Sequence, residues 1–175
     1  MQRISYQKSS KLGRASIPFL HEEEYEFVGK CKNMHVFVAN CCSYMEVEVL
    51  DFGNVVRSKP ARVMEITLTK SRGAWSVDIV RVDDKYKGFG VAPHVYRFLM
   101  KKLDIVMEAG KMQSPGGRYI WACLSKMRGI YMKAIDDRKN FYDVEADAGE
   151  LVSYDVDVYD GHKSIRVLAS YGIYA

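Results

Sequence analysis

A chain of 175 residues, 48% hydrophobic and 27% charged, has the composition of one globular domain large enough to bury a core. It contains no apolar run near the roughly 20 residues of a membrane helix, and its basic start, MQRISYQKSSKLGRASIPFL, lacks the continuous apolar stretch of a secretory leader. The expectation is therefore a cytoplasmic protein with no membrane partner, and the net charge of +4 is too small to demand a polyanionic one.

The distribution of charge says more than its sum. Arg3, Lys8, Lys11 and Arg14 precede the first acidic residue, whereas Asp136, Asp137, Asp143, Glu145, Asp147, Glu150, Asp155, Asp157 and Asp160 crowd the other end. A basic arm over residues 1–18 could meet nucleic acid, or it could be a solvated terminus. Cys31, Cys41, Cys42 and Cys123 lack the paired spacing of a zinc site, and His21, His35, His94 and His162 are scattered, so reduced thiols and no metal are expected.

In chain order, the stretches MHVFVANC (34–41) and YMEVEVLDF (44–52) read as strands. The second alternates Met45, Val47 and Val49 with Glu46 and Glu48, which predicts one wet face. Phe52, Gly53 and Asn54 offer a turn, RVMEITLTK (62–70) a third strand, Ser71 to Gly73 another turn, and WSVDIVRV (75–82) a fourth strand. A helix is predicted over 91–109, with Val91, Val95, Phe98, Leu99, Val106 and Met107 towards one side, Pro93 in its first turn and Gly110 as its stop. KMQS (111–114) reads as a short strand, Ser114 and Pro115 as the cap and first residue of a second helix, and IYMKAID (130–136) as a strand. LVSYDVDVY and HKSIRVLASY, joined by Asp160 and Gly161, predict a closing hairpin. Strands first, then strands alternating with helices, predict a single α/β (mixed α+β) domain: a mostly antiparallel mixed sheet with helices packed on it.

The chemistry concentrates in KYKGFG (85–90), between a strand and an amphipathic helix. Gly88 and Gly90 allow positive φ and close approach, so that consecutive N–H groups can converge on an anion. The helix that follows adds the positive end of its dipole, and Lys85 and Lys87 add charge suited to a pyrophosphate. A bare chain reversal would use the same glycines. Neither common nucleotide pattern fits: GxxxxGK(S/T) is absent, and Pro93 stands where the last glycine of GxGxxG would be. A meander before the turn also departs from a dinucleotide-binding βαβ unit.

RVDDKYKGFGVAPHVYRFLMKKL resembles the coenzyme A loop of the GNAT superfamily of acyltransferases, whose pattern is (Gln or Arg)-x-x-Gly-x-(Gly or Ala) between a strand and a helix. Lys85, Gly88 and Gly90 occupy the three motif positions, with lysine in place of the usual glutamine or arginine. The resemblance extends, more loosely, to the element order from about residue 34 onwards, and small proteins of this pattern resemble ones carried by tailed bacteriophages. It implies acetyl-CoA or another acyl-CoA as cofactor. Pantetheine would lie along 75–82 near the backbone of Val80 and Val82, with pyrophosphate on the amides from Lys85 through Phe89 to Val91. The acyl group would pass directly to an amine on a protein or small molecule. Two departures bear on this. Trp121 stands where many relatives have the tyrosine that protonates the leaving thiolate, and Tyr119, about 200° away around the helix, is not a simple replacement. For a base, Glu65 and Asp78 are carboxylates within apolar strands, where burial would favour proton abstraction near neutral pH and a wet sheet face would not. Ser114 suits an N-cap better than a nucleophile. The rival readings are a noncatalytic module of this fold, interacting with a partner or carried in a virion, and a nucleic-acid-binding or nucleic-acid-modifying protein.

Overall fold

Three two-residue turns set the register of the first half of the sheet in this computed structural model, which describes residues 25–56, 59–110, 113–153, 156–159 and 165–172. Strand β1 (Glu26–Cys31) turns at Lys32 and Asn33 into β2 (Met34–Cys41), which turns at Cys42 and Ser43 into β3 (Tyr44–Val56). β3 pairs with β4 (Lys59–Ser71), and β4 turns at Arg72 and Gly73 into β5 (Ala74–Val82). Lys32, Cys42 and Arg72 all take positive φ (55°, 46° and 49°), the geometry of the tight turns whose twist matches that of paired strands. The predicted meander is therefore present, lengthened by β1.

One 3₁₀ turn (Asp84–Tyr86) and the two glycines lead into helix α1 (Val91–Leu103). The helix stops earlier than expected: Asp104 adopts a left-handed conformation (φ 51°) and donates its N–H to Met100 O, so Val106 and Met107 lie beyond the helix. Met107 instead opens the two-residue strand β6 (Met107–Glu108), and Gly110 follows that strand rather than the helix. Of KMQS, Gln113 and Ser114 are not in a strand, and Lys111 and Met112 lie outside the described residues. Helix α2 (Pro115–Ser125) begins as predicted: the Ser114 hydroxyl accepts from Gly117 N, and proline fills the first turn.

Strand β7 (Ile130–Ile135) continues to β8 (Phe141–Asp143), and β9 (Glu145–Asp147) pairs with β10 (Glu150–Val152) in a separate small hairpin. Strand β11 (Arg166–Tyr171) inserts between β6 and β7, completing the order β1-β2-β3-β4-β5-β6-β11-β7-β8. The predicted final hairpin is thus corrected. Leu151 pairs with Ala146, and β11 pairs with β6 and β7. Asp160 and Gly161 lie outside the described residues, as does the basic arm. The domain is α+β, with a strand-rich mixed sheet, and no helix among the described residues is long and apolar enough to cross a membrane.

Both helices cover one face of the sheet. Met45, Val47 and Val49 of β3 and Met64, Ile66 and Leu68 of β4 meet Val95 and Leu99 of α1 in the main core, where each fully buried side chain contributes about 1.5–3 kcal/mol. Trp121 of α2 is 2% exposed and packs on Tyr96 of α1 with ring centroids 5.6 Å apart. It is a core residue.

The opposite face of β3 is not wet as the alternation suggested. Glu46 and Glu48 are buried beside a second small core of Tyr25, Phe37, Ala39 and Leu50. Glu46 accepts from Tyr25 Oη at 2.5 Å and Tyr44 Oη at 2.9 Å, and Glu48 faces Arg62 at 3.1 Å. Charge can be buried here because partners are built around it. Cys41, at the end of β2, and Cys42, in the turn that follows, are both exposed.

Candidate functional site: the fork between β5 and β6

Strands β5 and β6 run parallel and pair only at Trp75 with Met107 and Ser76 with Glu108. Beyond that point they part. Asp83 donates its N–H to Val63 O on β4, so by alternation the amides of Arg81 and Ile79 also point to β4, while those of Val80 and Val82 point to the edge that β6 has left. At the other end Trp75 N donates to Val106 O on the β6 side. The two directions agree because one extra residue is inserted in β5, where Leu68 faces Val77 but Thr67 faces Ile79. That extra residue is Asp78.

The open edge ends at the glycine turn. Asp83 caps the 3₁₀ turn by accepting from Lys85 N, and the amides of Tyr86 and Lys87 donate to Asp83 O and Asp84 O. These three amides are thus engaged, whereas those of Gly88, Phe89, Gly90 and Val91 make no close backbone hydrogen bond among the described residues. Gly88 (φ 80°) and Gly90 (φ 68°) both need the left-handed conformation, and the space around Gly88 is open. Gly90 is the N-cap of α1, its carbonyl 2.7 Å from His94 Nδ1. Lys85 and Phe89 are exposed, Phe89 at 74%, and Lys87 is paired with Asp84 at 2.6 Å.

Tyr86, which the motif does not single out, anchors this turn. Its hydroxyl donates to Asp51 Oδ2 at 2.9 Å and accepts from Asn54 Nδ2 at 3.1 Å. Asp51 and Asn54 belong to the irregular end of β3, where Gly53 N donates to Asp51 Oδ1, so the expected turn at 52–54 is a bulge within a longer strand. Burial raises the Tyr86 pKa, and the neighbouring Asp51 carboxylate adds to it, so the phenol stays a donor.

At the fork itself lies an open cleft of about 370 Å³ on the sheet face away from the helices. Thr69 and Ser71 of β4, Ser76, Val77 and Asp78 of β5, and Glu108 and Gly110 line it. Asp78 is exposed, not buried, and accepts a short hydrogen bond from Thr69 Oγ1. Glu108 is 6% exposed and bonded to Arg166 at 2.5 Å.

The other sequence candidates lie elsewhere. Glu65 is on the same sheet face as Asp78 but about 10 Å along the strands, between Arg62 at 3.6 Å and Arg81 at 4.0 Å. Tyr119 is 59% exposed and faces the turn of the β9–β10 hairpin, 3.3 Å from where a Cβ on Gly149 would stand. Its pKa is raised by the hydrogen bond and charge of Cys123. The fold therefore brings Asp78, Val80 and Val82 to one strand edge with Gly88–Val91 at its end, and leaves Glu65 and Tyr119 out of the fork. No cluster of His, Cys, Asp and Glu suited to a metal occurs among the described residues.

No protein-family model, curated protein or solved structure matches the chain.

Proposed function

We propose that the protein is a GNAT-like N-acyltransferase that binds acetyl-CoA or a related acyl-CoA at the fork and delivers the acyl group to a primary amine. The observation that carries this reading is the parting of β5 from β6 after two paired residues, directly upstream of a turn whose last four amides make no close backbone hydrogen bond among the described residues. The backbone at Val80 and Val82 can pair with the amide groups of an extended pantetheine arm as another strand would, and the amides of Gly88 to Val91, with the helix dipole behind them, suit its pyrophosphate. The residues present thus fit the cofactor. Lys85 would supply a further positive charge to the phosphates.

When bound, an acyl-CoA supplies a thioester, and attack by an amine yields an amide and the free thiol. Asp78, at the inserted residue where the strands diverge, is placed to take the proton an ammonium must lose before it can attack. Trp121 lies in the core and Tyr119 outside the fork, so neither supplies the acid; a thiolate leaves readily without one. That same arrangement favours a second reading, a noncatalytic module that keeps the fold for an interaction or a place in a virion.

Calorimetric titration with acetyl-CoA, using ATP as control, tests the first reading. Saturable binding of acetyl-CoA and not ATP is expected, with Gly88→Val folding normally but failing to bind. Absence of acetyl-CoA binding up to about 1 mM, equivalent to about 4 kcal/mol, would leave the noncatalytic reading.

A further inference from the structure

The cleft at the fork has an uneven charge arrangement. Glu108 is neutralised by Arg166 at 2.5 Å, and next to it Arg72 of the β4–β5 turn reaches Asp137 at 3.8 Å. Asp137 also acts on Arg166, so this side of the cleft is a chain of alternating, mutually satisfied charges. Asp78, across from it, has no cationic partner among the described residues. Its carboxylate is oriented by Thr69 Oγ1, which occupies Oδ2 and leaves Oδ1 for another donor. Ser71 and Ser76 bring two more hydroxyls to the wall, and Val77, whose side chain belongs to the core on the helix side, also borders it.

We infer that this cleft takes a small hydroxylated primary amine, such as an amino alcohol or amino sugar, with its ammonium on Asp78 and its hydroxyls among Thr69, Ser71 and Ser76. The inference rests on the transferase reading for its consequence, since this amine would be the acyl acceptor, but the binding itself stands on the cleft. One carboxylate with no cationic partner among the described residues matches one ammonium. A volume of about 370 Å³ lies near the lower end of the roughly 300–1,000 Å³ of small-molecule sites, which favours a single ring or short chain over a polypeptide. Three hydroxyls on the wall offer donors and acceptors to a polyol, whereas the second ammonium of an alkyl diamine would meet no further unpaired carboxylate among the lining residues. The geometry also puts the amine where it is needed. Asp78 sits between the cleft and the open edge of β5, so an ammonium held there lies where an acyl group at the fork would be reached from the face opposite the helices.

Amide chemical shifts of the isotope-labelled protein, recorded with D-glucosamine and without any CoA compound, test this directly. Glucosamine is expected to move the resonances of Thr69, Ser76, Val77, Asp78 and Gly110 saturably, while D-glucose leaves them in place. Asp78→Asn, which keeps the shape and the bond from Thr69, is expected to weaken the response at least about tenfold, or about 1.4 kcal/mol. Should that variant fail to fold, Thr69→Val, which frees the carboxylate from its clamp, serves instead and should weaken it about threefold. Shifts that are absent, that glucose reproduces, or that survive both substitutions would overturn the inference. Acetyl-CoA titration separates the two claims: cofactor binding without a glucosamine response removes the acceptor class alone, and a glucosamine response without cofactor binding removes the transferase reading alone.

Discussion

The carbonyl oxygen of Val77 lies 2.3 Å from where a Cβ on Gly110 would stand. Only a glycine lets the segment after β6 pass so close to β5 just where the strands separate, and the atom in the way is backbone, which cannot swing aside. Gly110→Ala should therefore force the fork apart and destabilise the protein by about 1–3 kcal/mol, the usual cost of overpacking a fitted contact. Urea unfolding measures it; an unchanged midpoint would mean that the approach is not needed for the fold.

Tyr86 is predicted to position the glycine turn through its hydroxyl. Tyr86→Phe removes the bonds to Asp51 and Asn54 but keeps the ring, so a stability loss of about 0.5–1.5 kcal/mol is expected together with weaker acetyl-CoA binding. If the stability loss occurs and affinity is unchanged, the anchor serves the fold and not the loop.

Much of this site was legible in the sequence because its signals are local. Positive φ at Gly88 and Gly90 and the 3.6-residue spacing of Val91, Val95 and Leu99 are properties of a few consecutive residues, and the structure has the turn and the helix there. What escaped depends on partners distant in the chain. Apolar spacing continues through Val106 and Met107, so nothing local shows that Asp104 turns left-handed and ends the helix. Alternation in 166–171 identifies a strand, but not that β11 enters between β6 and β7; in 151–159 it predicts a strand of which only Leu151 and Val152 form one, while 156–159 bend and turn. Strands β8, β9 and β10, of three residues each, are too short to show a period at all. Nor could the pattern in β3 reveal that Glu46 and Glu48 are buried, because their partners Tyr25 and Arg62 are 21 residues before and 14 after them. The fork itself is invisible to periodicity, since it is made by two strands ceasing to pair.

His35 sets an expectation for pH. Its ring lies between Phe27, at 5.6 Å, and Phe52, at 4.6 Å, with Nδ1 buried and without a hydrogen-bond partner among the described residues. Burial, aided by Lys30, lowers its pKa below the ordinary 6.5, against a smaller opposing effect of Asp51. The unfolded chain then takes up the proton first. The contribution of neutral His35 to stability is complete above about pH 6.5 and is lost as pH falls through the folded value. Between about pH 7.5 and about pH 5, the wild-type protein should lose more unfolding free energy than His35→Phe, since the carboxylates titrate alike in both. Parallel profiles would show that the ring is protonated as easily in the fold as outside it.

Arg166 and Glu108 carry the last prediction, because they join β11 to β6 beside the cleft. Their side chains are 16% and 7% exposed, and the hydrogen bond that Arg166 donates to Glu108 raises the Arg166 pKa further. Arg166→Met would leave the Glu108 carboxylate buried without its cation, a change that costs about 3–5 kcal/mol in comparable pairs. Glu108→Gln alone should cost less, since the guanidinium keeps the attraction of the nearby Asp137 charge and part of its exposure to solvent. The double variant should recover part of the loss, because the stranded charge is gone, and the recovery measures the coupling between the two side chains. Losses that simply add would mean that the pair is held in place by the surrounding strands and contributes nothing to joining them.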